Sequence, residues 1–268
     1  MTQARNPEMI LSSNYFEVVN EIRIKSAEVL NQAKATYDIV LKAKTNQKQV
    51  EVTRLKFAVN DKAIENKFPM ISNFYFESIF PLKFILIDDV LKLSNFKEIQ
   101  KSVEKTDNIL KEKYNGDGLE YIRGQFLDQI ETEEKAEQFI SSLSIINCLN
   151  LSLKRFCIEN VVDFNWKIPT VGKLKFELKA QQVEDNSIHF SANELNKRDF
   201  LQSLNQYRLQ NKYESIKETE DTILTADFLS KIKYEEGTLN IIELNSKLEI
   251  KLNDYFQFEE NITIKSLL

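Results

Sequence analysis

Residues 8–68 contain neither glycine nor proline, and the whole 268-residue chain has only five glycines and four prolines. A chain with so little punctuation is built from long, uninterrupted elements. The scarcity excludes collagen-like and linker-rich architectures, and it excludes glycine-rich phosphate-binding loops. Hydrophobic residues make up 42% of the chain, with 18 Phe and 9 Tyr, against 29% charged residues. That balance builds a core and belongs to a globular protein rather than a disordered one.

Hydrophobic spacing gives an α+β reading. Tyr15, Val18, Val19, Ile22, Val29, Leu30 and Ala33 recur at helical intervals behind Ser13 or Asn14, which predicts an amphipathic N-terminal helix over residues 14–34. The period then changes. Tyr37, Ile39, Leu41 and Ala43 alternate with polar neighbours, as do Val50 and Val52, and then Leu55, Phe57 and Val59. An antiparallel hairpin follows, turning at Thr45-Asn46-Gln47-Lys48, with a bulge or strand end where the phase slips at Thr53-Arg54.

Phe74, Phe76 and Phe80 suggest another strand, and KFILIDDVLKL a buried strand, a turn at Asp88-Asp89 and a second strand. Ser94-Asn95 caps a helix that ends at Asn115-Gly116, and two more helices follow at roughly 119–130 and 133–147. Strands resume at Lys173–Ala180 and Ile188–Phe190. A helix spans about 195–213, and the tail from Gly237 reads as TLNIIEL, KLEIKL, YFQF and ITI strands. Antiparallel strands therefore frame an N-terminal helix, a central helical segment and a β-rich C-terminal part. With the break at Pro169–Gly172, the chain divides into a mixed domain at 1–168 and a β-rich domain with one long helix at 169–268.

Charge is unevenly placed. The chain carries a net −5, yet residues 23–67 hold ten basic and five acidic side chains, leaving −10 for the rest. Lys42, Lys44, Lys48, Arg54 and Lys56 lie in or beside the hairpin, with Glu51 opposing them. A two-stranded ribbon with one basic face can track a phosphate backbone, since screening keeps electrostatics local. Nothing in the stretch points to base-specific readout.

An enzymatic pattern is weighed against this one. Glu177-Leu178-Lys179, with Asp163 upstream, has the carboxylate-x-lysine spacing of Mg-dependent nucleases, where two carboxylates hold the metal and the lysine positions water. The same spacing recurs at Glu249-Ile250-Lys251, and the run Lys173, Lys175, Glu177, Lys179 also reads as a solvated strand face. His189, the lone histidine, sits between Ile188 and Phe190 and reads as structural. Cys148 and Cys157 have apolar neighbours and read as buried free thiols of a reducing cytoplasm. The N-terminus lacks an apolar signal region, and the run Phe84–Ile87 is far too short to span a bilayer. No metal or organic cofactor is expected, apart from Mg in the nuclease alternative.

The order of elements resembles the KwaB family, DNA-binding effectors of the Kiwa anti-phage defence system. The resemblance rests on YDIVLKAKTNQKQVEVTRLKF, on FILIDDVLKLSNFKEI, and on KFELKAQQVEDNSIHF followed by SLNQYRLQN. It spans residues 37–213 and leaves the strands after Gly237 unaccounted for. It implies a non-catalytic, cytoplasmic effector that engages duplex DNA and is recruited to the inner membrane by an integral-membrane partner subunit. A homodimer is the expected assembly. The phosphate-contacting residues, Lys42, Lys44, Lys48, Arg54 and Lys56, come from the charge reading. A third class, a phage or mobile-element interaction protein with no nucleic-acid role, shares the same composition.

Overall fold

The computed structural model describes residues 14–26, 29–44, 48–62, 64–154, 161–169, 171–184, 186–236 and 240–267. Thr45, Asn46, Gln47, Cys157 and Gly237 lie outside these residues, so the expectations resting on them do too.

The first segment is not a helix. It forms β1 (Asn14–Ser26) and the start of β2 (Val29–Lys44), which pair antiparallel along their whole length from Asn14↔Leu41 to Ser26↔Val29. Phe16, Val18, Asn20, Ile22 and Ile24 alternate on one face, and the polar Asn20 hides that period from a hydrophobic count. Tyr, Phe, Val and Ile dominate the segment, and such residues pack better on a pleated surface than in a helix. β3 (Gln49–Val59) completes the expected hairpin. Its bulge falls slightly later than Thr53-Arg54: the register passes from Thr36↔Ala58 to Asp38↔Leu55, and Lys56 adopts a left-handed φ of 53°.

The aromatic run around Phe74 is a helix rather than a strand, α1 (Lys67–Glu77). Ile71 and Tyr75 are its buried i, i+4 pair, and Pro69 sits in the first turn, where its missing N–H costs nothing. β4 (Leu82–Ile87) and β5 (Val90–Leu93) form as expected around Asp88 and Asp89, both in the left-handed region. α2 (Phe96–Lys113) begins at Asn95, but the Asn95 side chain does not cap it. Its amide instead bridges the Pro81 carbonyl and the Lys83 N–H, fastening the helix start to β4. α3 (Asp117–Gln129), α4 (Glu133–Ser141) and α5 (Ser144–Leu153) follow, so the single helix expected at 133–147 is two. Asp107 of α2 ties three helices together by accepting from Tyr75 Oη at 2.6 Å and Arg123 Nε at 2.8 Å.

The C-terminal half supplies β6 (Val161–Ile168), β7 (Gly172–Glu184), β8 (Ser187–Ala192), α6 (Lys197–Gln210), β9 (Leu224–Tyr234), β10 (Ile241–Leu252) and β11 (Phe256–Ser266). The paired segments read in the tail merge into β10 and β11. The 168/169 division falls at the β6–β7 turn, where Ile168 pairs with Gly172.

All eleven strands join one antiparallel sheet in the order β5-β4-β3-β2-β1-β11-β10-β9-β8-β7-β6. The architecture is therefore α+β and sheet-dominated. β5 and β6 are the two edges, so α2–α5 must carry the chain from one edge to the other. Nearly every strand alternates a buried inner row with a polar outer row.

The sheet is strongly curled. Trp166 on edge strand β6 donates Nε1 to Glu260 Oε2 of β11 at 2.6 Å. Five strand spacings separate these strands, about 24 Å in a flat sheet, a gap no pair of side chains spans. The Phe164–Phe228 contact, 5.1 Å between ring centroids on β6 and β9, requires the same bend. α5 fills the trough, with its Cys148 against Ser246 of β10 and its Asn150 accepting the Leu91 N–H of edge strand β5. Burial in this trough pushes the Cys148 thiol up to about 12.

Glu260 is 2% exposed and also accepts from Ser144 Oγ at 2.7 Å and Asn20 Nδ2 at 3.0 Å. Burial raises its pKa, against the lowering effect of these three donors. A carboxyl raised by folding contributes stability that is fully present below its ordinary value of 4.5 and is lost as pH rises through the raised value. Denaturant titrations of wild type and Glu260→Gln across mildly acid to neutral pH should therefore show the difference moving in favour of the variant as pH rises. A pH-independent difference contradicts this account of Glu260.

Candidate functional site

A cavity of about 860 Å³ lies between the inner face of β1–β3 and helices α1, α4 and α5. Its walls are mainly apolar and aromatic: Ile39 and Val52 from the sheet, Phe57 beside the bulge, Phe76 and Phe80 from α1 and its exit, and Phe139 from α4. Phe68 and Pro69 stand on the rim, and Phe68 is 52% exposed. The space opens broadly to solvent rather than being sealed inside the protein. A space of this size with apolar walls and a few placed polar groups has the make-up of a small-molecule site.

Three polar residues interrupt the apolar rows that face the cavity: Asn20 of β1, Arg54 of β3 and Glu260 of β11. Arg54 is in phase with Val50 and Val52 and opposes Ile39, which places it on the inner face. Its Nε and Nη2 donate to Glu77 Oε1 at 3.0 and 2.6 Å, and Nη2 also donates to Asn73 Oδ1 at 2.7 Å. The guanidinium lies 4.2 Å from the Phe57 ring centroid and 4.4 Å from that of Phe76. Burial lowers its pKa, partly offset by Glu77; an arginine stays charged through such a shift. Tyr37 sits beside it with its phenol driven far up by burial, so it is a neutral hydroxyl on the cavity wall.

The five basic residues expected to form one ribbon face separate. Lys42 and Lys44 lie on the outer face of the hairpin, opposite Glu51 and Gln49, and Lys42 Nζ approaches Glu51 at 3.4 Å. Lys48 is exposed at the turn, with a φ of 49°. Lys56 pairs with Asp38 at 2.8 Å, and Asp38 also accepts from Tyr15 Oη at 2.6 Å. Burial raises the Asp38 carboxyl, but the Lys56 and Tyr15 hydrogen bonds outweigh it and leave its pKa lowered. Arg54 alone is buried on the opposite face, with a side chain 5% exposed.

Asp163 and Glu177 are direct cross-strand partners, and Lys179 opposes Val161. All three side chains are exposed on the outer face, and Asp163 pairs with Lys175 at 3.1 Å. Among the described residues, no group of three or more His, Cys, Asp or Glu is placed to hold a metal. His189 is half-buried on β8, with its pKa lowered by burial and then by Lys231.

Sequence reading names Arg54 only as a ribbon-face cation and misses Asn20 and Glu260, although a signal exists. Arg54 follows Val50 and Val52 in strict alternation, and Glu260 stands between Phe256, Phe258, Ile262 and Ile264. A charge in phase with an apolar strand row is either a burial or a misread strand.

The Arg54–Glu77 pair has unequal ends, since Glu77 retains 35% side-chain exposure. Glu77→Ala strands a buried guanidinium and should cost about 3–5 kcal/mol in urea unfolding. Arg54→Met leaves a carboxylate that water reaches and refills the aromatic slot, so it should cost clearly less. Equal losses contradict the assignment of Arg54 as the buried partner.

No family model matches the chain, and no curated protein matches it. Among solved structures, one titled for lipid–protein interactions in lipovitellin is similar at a TM-score of 0.44 and 9% identity, over 95% of this chain. This chain spans 25% of the length of that one.

Proposed function

We propose that the chain is a binding protein for a small, predominantly apolar molecule held between the curled sheet and its helices. The carrying observation is the cavity of about 860 Å³, bounded by aromatic and aliphatic side chains, with polar residues at a few fixed points. Such a lining stabilises a ligand by removing apolar surface from water, at about 25 cal/mol per Å². The polar points fix its orientation. Arg54 is held rigidly by Glu77, Asn73 and two rings, so it shapes the wall without collapsing into the space. Among the described residues, no helix is long and apolar enough to cross a membrane.

A second reading keeps phosphate-backbone binding at the β2–β3 hairpin, where Lys42, Lys44 and Lys48 are all exposed. In that reading the chain is the non-catalytic effector of anti-phage defence, with duplex DNA and a membrane subunit as partners. Replacing Lys42, Lys44 and Lys48 by Gln should abolish a low-salt DNA mobility shift, whereas Lys56→Gln should change it little because its charge is spent on Asp38. Absence of any shift at low salt removes this reading. The geometry favours the nuclease alternative less, because Asp163 and Glu177 stand on a solvated face among lysines.

For the cavity, uptake of the apolar dye Nile red is the direct assay. Ala35 borders the space and is only half-buried, so Ala35→Phe should fill it, weakening dye binding by roughly tenfold. Thermal stability should hold or rise, since the added ring meets open space rather than packed atoms. Unchanged dye uptake in the variant contradicts binding at this site.

A further inference from the structure

The charged and titratable groups around the cavity constrain the polar end of its ligand, an inference that rests on the cavity reading above. Arg54 has its charge answered by Glu77 and its two faces covered by Phe57 and Phe76. A second buried carboxyl, Glu260, borders the same space. Cavity and backing shell thus hold one guanidinium against two carboxyl groups. An anionic head group entering here gives up its water without gaining a countercharge, and burying an unpaired charge is costly. The other cation at the cavity, Lys167, is an exposed rim residue with its ammonium 5.7 Å from the Phe139 ring centroid.

The Tyr37 hydroxyl on the wall can donate or accept, whereas, among the described residues, the two fully buried polar atoms left without a partner at the cavity are both acceptors. Asn20 and Gln129 both line the cavity, and each carries a buried side-chain carbonyl oxygen with no partner. Native proteins leave few such oxygens, and each calls for an explanation. Glu260 adds carboxyl oxygens that already receive Trp166, Ser144 and Asn20. A small shift of Asn20 or Gln129 toward a ligand donor satisfies an oxygen that otherwise costs free energy.

We propose that the cavity selects an uncharged amphiphile whose polar end donates hydrogen bonds, a hydroxyl- or amide-bearing long-chain molecule, and discriminates against fatty-acid anions of the same chain. The test is displacement of Nile red from the full chain in mildly alkaline buffer by 1-monooleoylglycerol or by oleate, each below its own aggregation threshold. The glycerol ester should displace the dye at a concentration roughly tenfold or more below that required for oleate. Asn20→Leu or Gln129→Leu should narrow that gap by weakening the ester and sparing oleate.

Oleate displacing the dye as well as the ester, or better, overturns the proposal. An oleate preference that disappears in Lys167→Gln overturns it too and assigns head-group choice to the rim. A gap unchanged in both leucine variants shows that Asn20 and Gln129 do not read the head group, and also counts against it. If wild type takes up no dye, the cavity reading itself fails, a result distinct from any of these.

Discussion

The Glu260 carboxyl is the knot of the structure. It receives Trp166 from β6, Asn20 from β1 and Ser144 from the start of α5, while itself belonging to β11. Four elements from distant parts of the chain meet at one side chain. A buried carboxylate without donors costs several kcal/mol, so folding must bring these groups together or leave the acid protonated. Meeting the Trp166 donor forces edge strand β6 to swing back over the sheet. The curl, the trough that α5 occupies and the cavity beside it follow from that one closure.

Packing around the knot divides the inner face into two regions. Beneath α5 the rows carry small residues: Ser230 and Ser246 pair at 2.7 Å, and Cys148 sits on Ser246. The helix can approach the sheet closely there. Over β1–β3 no helix comes as near. α1 stands off on a cushion of Phe76 and Phe80, whose rings are 5.8 Å apart, with Arg54 between the sheet and Phe76. Large side chains meeting at a distance leave room between them, and this produces a cavity with aromatic walls rather than a filled core. Function, on this reading, belongs to that under-packed end, and the outer rows of β6 and β7, including Asp163, Glu177 and Lys179, are exposed.

Part of this was legible in the sequence. The hairpin of β2 and β3, the β4–turn–β5 unit, α2, α3, β7, β8, β10 and β11 announce themselves by period and turn chemistry, whereas β6 and β9 go unread although Val162, Phe164 and Trp166, and then Ala226, Phe228, Ile232 and Tyr234, recur in alternation. Two of the failures share a cause. Asn20 breaks the apolar row of β1, so Tyr15, Val18, Val19 and Ile22 mimic a helical stripe, and Arg54 in the inner row of β3 reads as a phase slip. In each case a polar residue at a buried position disguised the strand, and those same residues border the cavity. Phe74 and Phe76 misled in the other direction, since aromatic residues at short spacing suit a strand until the i, i+4 pair Ile71 and Tyr75 is seen. The curl itself is beyond any local pattern, because Trp166 and Glu260 lie 94 residues apart in the chain.

Trp166 is the only tryptophan in the chain, and it is 1% exposed in the closed sheet. Its steady-state emission, read together with acrylamide quenching, tests the closure without labels or substitutions. A curled sheet sealed on Glu260 predicts a blue-shifted emission that acrylamide barely quenches until the protein unfolds. A red, freely quenched emission from the native protein would mean that β6 stands open to water, and that neither the trough nor the cavity is assembled as described.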